Sequence, residues 1–112
     1  MSTFDRAQEI IGKLVAEGVR ATTDPAAVNP PCVLVVPPDL EFDLNCGFSA
    51  TWRIICLAAT ATGSDRSTWA ALSTLIEAVR ATTDAATAEL VAYTVNGTTF
   101  PSYVCSWTES ID

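Results

Sequence analysis

The sequence predicts an α+β fold in which two helices pack on one face of a mainly antiparallel sheet, in the order α-β-β-β-α-β-β. Apolar residues recur at helical spacing in two segments. They alternate with polar ones, at the period of a half-buried strand, between Asp39 and Leu44. An Asn-Gly pair at 96 and 97 sits between two β-rich runs, a strong hairpin signal. Two helices on one sheet face is the simplest way to bury both helical stripes.

The first helix is predicted from Phe4 to about Thr22, with Phe4, Ala7, Ile10, Ile11, Leu14, Val15 and Val19 on its apolar side and Asp5, Arg6, Glu9, Lys13, Glu17 and Arg20 opposite. Ser2 or Thr3 can cap it, and Ser2 with Asp5 has capping-box spacing. Pro25, Pro30 and Pro31 then make Ala26 to Pro31 an extended loop. Cys32 to Val36 is a short apolar strand stopped by Pro37 and Pro38.

Next comes a hairpin. If Asn45, Cys46 and Gly47 form a three-residue loop with Gly47 left-handed, Leu44 lies opposite Phe48, Phe42 opposite Ala50, Leu40 opposite Trp52 and Asp39 opposite Arg53. Leu40 and Phe42 are then expected in the core, while Asp39, Glu41 and Asp43 form an acidic stripe on the other face. The second arm, from Phe48 to Ala58, is long enough to lie inside the sheet, with its far end covered on both faces. Gly63, Ser64 and Asp65 read as a break and helix cap, and Trp69, Leu72, Leu75, Ile76 and Val79 place the second helix up to about Arg80.

Glu89 to Val95 and Thr98 to Trp107 form the closing hairpin. Its turn sets Tyr93 against Phe100 and Leu90 against Tyr103, and Pro101 marks an edge or a bulge. VRATTD occurs twice, at Val19 to Asp24 and at Val79 to Asp84. It reads as two helices ending alike, unwound by local Thr and Asp hydrogen bonds.

At 112 residues, with 49% hydrophobic content, the chain is expected to be one domain, residues 1–112, with a sizeable core. No apolar run approaches the ~20 residues of a membrane helix. The polar, amphipathic start carries no signal-peptide pattern, so synthesis in the cytoplasm is expected. A net charge of -7, with only six Lys and Arg, argues against tight nucleic-acid binding. The four cysteines, Cys32, Cys46, Cys56 and Cys105, lack metal or redox-motif spacing and there is no histidine, so all four are expected as unbonded thiols.

Catalysis finds no matched groups. The single lysine, Lys13, is best explained as a partner of Glu9 or Glu17 on one helix face. Asp39, Glu41 and Asp43 lie side by side along a strand without the turning loop that wraps a cation. No catalytic residue, metal site or cofactor is therefore predicted, and Asn96-Gly97-Thr98 matches a glycosylation sequon through its hairpin chemistry alone. Trp52 and Trp69 fall on expected core faces, which leaves Trp107 as the candidate exposed anchor. Asp39, Glu41 and Asp43, with Arg53 at the end of the stripe, are the candidate contact surface.

The helix FDRAQEIIGKLVAEGV, the NPPCVLVVPPDLEF segment, the TWRIICLAA strand, the SDRSTWAALSTLIEAVR helix and the closing hairpin together resemble the tail terminator proteins of long, non-contractile-tailed bacteriophages, also called minor tail or head-to-tail connector proteins. The resemblance covers most of the chain and rests on the combination of pieces. It implies a structural virion protein at the head-tail junction, assembled into a six-fold ring (a homohexamer) that stops polymerisation of the major tail tube protein and docks to the head completion or stopper protein. DNA would pass through that ring without specific binding, and no membrane is involved. Asp39, Glu41, Asp43 and Arg53 would then line the lumen or an intersubunit contact. Four cysteines are not part of the family pattern. The alternatives are another connector, such as a stopper or a tail-tube-like subunit, and behind them a small-ligand binding module. A tube subunit needs a long arm, and the chain offers only the Ala26 to Pro31 loop and the Pro37-Pro38 corner.

Overall fold

A computed structural model describes residues 2–42, 47–58 and 65–111. Two helices, α1 (Thr3–Ala16) and α2 (Asp65–Thr82), lie on one face of a mainly antiparallel sheet made of β1 (Ala21–Thr22), β2 (Cys32–Val35), β3 (Asp39–Phe42), β4 (Phe48–Leu57), β5 (Thr87–Val95) and β6 (Thr98–Ile111). The strands run β1-β2-β4-β6-β5, and β3 adds to the same side of β4 as β2. The expected α-β-β-β-α-β-β order holds, with the two-residue β1 and a 3-10 turn at Pro25–Ala27 added.

The start of α1 forms as its sequence requires. Ser2 Oγ accepts from the Asp5 amide at 3.1 Å while the Asp5 carboxylate accepts from the Ser2 amide at 3.4 Å, so the capping box is closed. Lys13 reaches Glu9 at 3.3 Å. The helix ends earlier than its apolar pattern predicts. Gly18 has φ 87, its amide bonds to the Val15 carbonyl and the Val19 amide to that of Leu14, which is a Schellman stop. The chain then turns into β1, parallel to β2.

The first VRATTD therefore lies beyond its helix and contributes β1, whereas the second forms the last turns of α2. There Thr82 and Thr83 donate to the carbonyls of Ala78 and Val79 at 2.9 and 2.8 Å. The two copies do not end helices alike. The residues before them decide it, Glu17-Gly18 against Glu77-Ala78, because only glycine takes the left-handed stop without strain. In the loop expected to be extended, Asp24 caps the 3-10 turn by accepting from the Ala26 amide at 2.9 Å.

Two apolar clusters hold the sheet. Between helices and sheet lie Ile10, Leu14, Leu72, Leu75 and Val79 against Val33, Val35, Ala50, Trp52, Ile54, Cys56, Cys105 and Trp107. On the opposite face Cys32, Leu34, Ile55, Leu57 and Val95 are buried with Val28, Tyr93 and Phe100 packed against them. The far end of β4 is thus covered on both faces, as its composition predicts. The loop and the closing hairpin cover it together: Asn96 Nδ2 donates to the Pro25 carbonyl at 2.8 Å.

The closing hairpin has the predicted register, with Tyr93 opposite Phe100 and Leu90 opposite Tyr103. Asn96 and Gly97, at φ 51 and 79, make the two-residue turn. Pro101 pairs with Ala92 where the β4 ladder has run out at Leu57, and its carbonyl still accepts from the Ala58 amide at 3.1 Å. Cys32, Cys56 and Cys105 are buried free thiols. Cys46 and the Gly63-Ser64 break lie outside the described residues. No helix among the described residues is long and apolar enough to cross a membrane.

Candidate assembly surface

The strand β3 is bounded by Pro37-Pro38 on one side, and all four of its residues are exposed. It pairs with β4 two residues away from the predicted register: Asp39 opposite Thr51, Leu40 opposite Ala50, Glu41 opposite Ser49 and Phe42 opposite Phe48. A two-residue slip preserves which face each side chain takes, so Leu40 and Phe42 do share the helix-side face with Ala50 and Trp52. They are not in the core. Leu40 is 43% and Phe42 75% exposed, because β3 is an edge strand one row outward from the covered sheet. Phe42 instead packs on Phe48, ring centroids 5.9 Å apart.

The row Leu40–Ala50–Glu109 crosses β3, β4 and β6. Helix α1 clamps its β6 end through Arg6, whose Nε donates to Glu109 at 3.0 Å while its other arm meets Glu9 at 2.9 Å. That hydrogen bond to Glu109 raises the Arg6 pKa against the effect of partial burial. In this row Ala50 is fully buried, and Leu40, one strand further out, is not. Beside it the exposed Phe4, with Val35, Pro37, Pro38 and Trp52, lines a groove of about 300 Å³.

On the other face Asp39 and Glu41 are exposed carboxylates, and Asp39 forms an ion pair with Arg53 although it stands opposite Thr51. The contact is diagonal, a reach long side chains make across adjacent strands. Asp43 lies outside the described residues. Exposed on both sides, the pair adds little stability.

The tryptophans exchange their predicted places. Trp107 is 5% exposed and stacks on Trp52, its direct partner across β4 and β6, at 6.2 Å and 19°, so it is not a surface anchor. Trp69 is 69% exposed and, with Leu72, Leu90, Pro101 and Tyr103, lines a groove of about 370 Å³ at the opposite end of the helix face. Its helical spacing points toward the core, but β5 leaves that flank of α2 uncovered. Among the described residues no three His, Cys, Asp or Glu side chains stand close enough to hold a metal ion. No family model, no curated protein and no solved structure matches the chain.

Proposed function

We propose that this protein is a structural subunit of a virion ring at the head-proximal end of a long, non-contractile phage tail, where it ends tube polymerisation and joins the tail to the head connector. The observation that carries the reading is β3, a proline-bounded edge strand with exposed Leu40 and Phe42 on one face and exposed Asp39 and Glu41 on the other. Such a strand suits contact between subunits better than chemistry. A face of carboxylates turned to a channel repels phosphate and lets a duplex slide, whereas a basic one would hold it by counterion release.

Native mass spectrometry of the purified chain tests the reading. A discrete closed oligomer, six-fold by the resemblance, supports it, and a monomer that binds a small molecule in the Phe4–Trp52 groove contradicts it. A stopper would also form a ring; it differs in leaving free tail-tube subunits to polymerise unchecked.

A further inference from the structure

The half of the sheet that carries the acidic stripe is only three strands wide, β3-β4-β6, because β5 stops pairing with β6 at Ser106. Backbone groups in an antiparallel ladder alternate between the two neighbours. The two-residue turn makes Thr98 bond to Val95, so even-numbered residues of β6 face β5 and odd-numbered ones face β4. The bonds from the Ala86 amide to the Ser106 carbonyl and from the Ala58 amide to the Pro101 carbonyl follow this alternation. Thr108 and Ser110 therefore turn their N–H and C=O groups to the side where β5 has ended. By the same alternation Asp39 and Glu41 bond to β4, and Leu40 and Phe42 turn theirs to the other side.

Two open edges result, on opposite margins of one three-stranded ribbon. Among the described residues none pairs with either. Unpaired edges of this kind are templates for another strand. Their side-chain rows also match: Leu40 and Phe42 share the face of Trp107 and Glu109, and Asp39 and Glu41 share the face of Thr108 and Ser110. We infer that a second copy of this chain docks head to tail, its β3 adding in parallel to the β6 edge at Thr108–Ser110 of its neighbour.

The occupant is another copy because both halves of the contact belong to this chain and face opposite ways. One copy uses its β3 and offers its β6, which is a heterologous contact that closes into a ring when the rotation allows. On the helix side Leu40 and Phe42 come to lie beside Trp107 and beside Glu109, whose charge Arg6 already pairs, so the exposed Leu40 is covered. On the other side the carboxylates meet only hydroxyls, so Asp39, paired with Arg53, and Glu41 stay exposed on that face. The inference rests on the ring reading for closure but not for the contact itself.

Proline on the outward-facing positions tests it, because it removes an edge donor without touching the ladder to β4. Phe42→Pro and Ser110→Pro should each leave the pure variant monomeric, weakening self-association about tenfold or more. Mixed together they should form dimers and nothing larger, since each retains the half that the other lacks. Hydrogen exchange on the unmodified chain supplies a second readout: the amides of Leu40, Phe42, Thr108 and Ser110 should gain protection as protein concentration rises. Rings that survive both substitutions overturn the edge contact and leave the ring reading standing. Head-to-tail pairing that grows into open filaments upholds the contact and removes the ring reading. Concentration-independent exchange at these four amides overturns the contact.

Discussion

Trp52 and Trp107 stand opposite each other in the central strands and stack with centroids 6.2 Å apart, and neither indole nitrogen finds an acceptor among the described residues. Their contribution is apolar burial and ring contact. Trp107→Ala should therefore cost about 3 to 5 kcal/mol. Trp107→Phe should cost much less, because it keeps the stack and removes an unpaired donor. Phe42→Ala, on an exposed edge, should stay within about 1 kcal/mol. Urea denaturation separates the three. Aqueous quenching should reach only Trp69 in the native monomer.

Asn96 has two roles that separate by substitution. Its left-handed backbone closes the hairpin, and its amide ties the turn to Pro25 at 2.8 Å. Asn96→Gly keeps the conformation and loses the tie, a cost of about 0.5 to 1.5 kcal/mol. Asn96→Ala loses both and adds about 1 kcal/mol of backbone strain. Equal midpoints for the two variants would show that the turn geometry contributes nothing.

Much of the fold is legible in the sequence because the signals are local. The Ser2–Asp5 box, the Asn96-Gly97 turn and the alternation along β4 each depend on neighbours a few residues away. Misplacements arise where a distant element decides. Leu40 and Phe42 have core periodicity, but periodicity does not say whether a helix reaches over an edge strand. Trp69 has helical core spacing, but the flank it faces is left open by β5. Trp107 lies near the end of the chain, yet β6 runs on to Ile111 and makes it central. Gly18 stops α1 although the apolar periodicity runs on past it. Gly18→Ala should cost about 1 kcal/mol from its φ of 87 alone, since a Cβ there meets nothing within 4 Å.

Cys32 and Cys56 should make stability fall at alkaline pH. Burial raises the Cys32 pKa, and a hydrogen bond with Cys105 together with burial raises that of Cys56. Both hold their protons to higher pH in the folded protein than in the unfolded chain, where thiols ionise above about pH 8.5. The stability they contribute is complete below that pH and is lost as pH rises through their raised folded values. Cys56→Ala should flatten the alkaline slope measured by denaturant titration. Alkylation without reductant should modify all four cysteines once the chain is unfolded.

The acidic stripe is tested by Lys at Glu41 and Asp43 together. With the carboxylates facing the channel, the double variant should still assemble and cap tubes but slow DNA ejection, most strongly at low salt. Failure to assemble at low salt would place the stripe between subunits instead.

The most direct measurement is electron microscopy of tail-tube subunits polymerised with and without this protein. Tubes that stop growing and carry one extra ring at a single end are the predicted result. Unchecked growth with both ends bare, from protein shown to be folded, would contradict a terminating role.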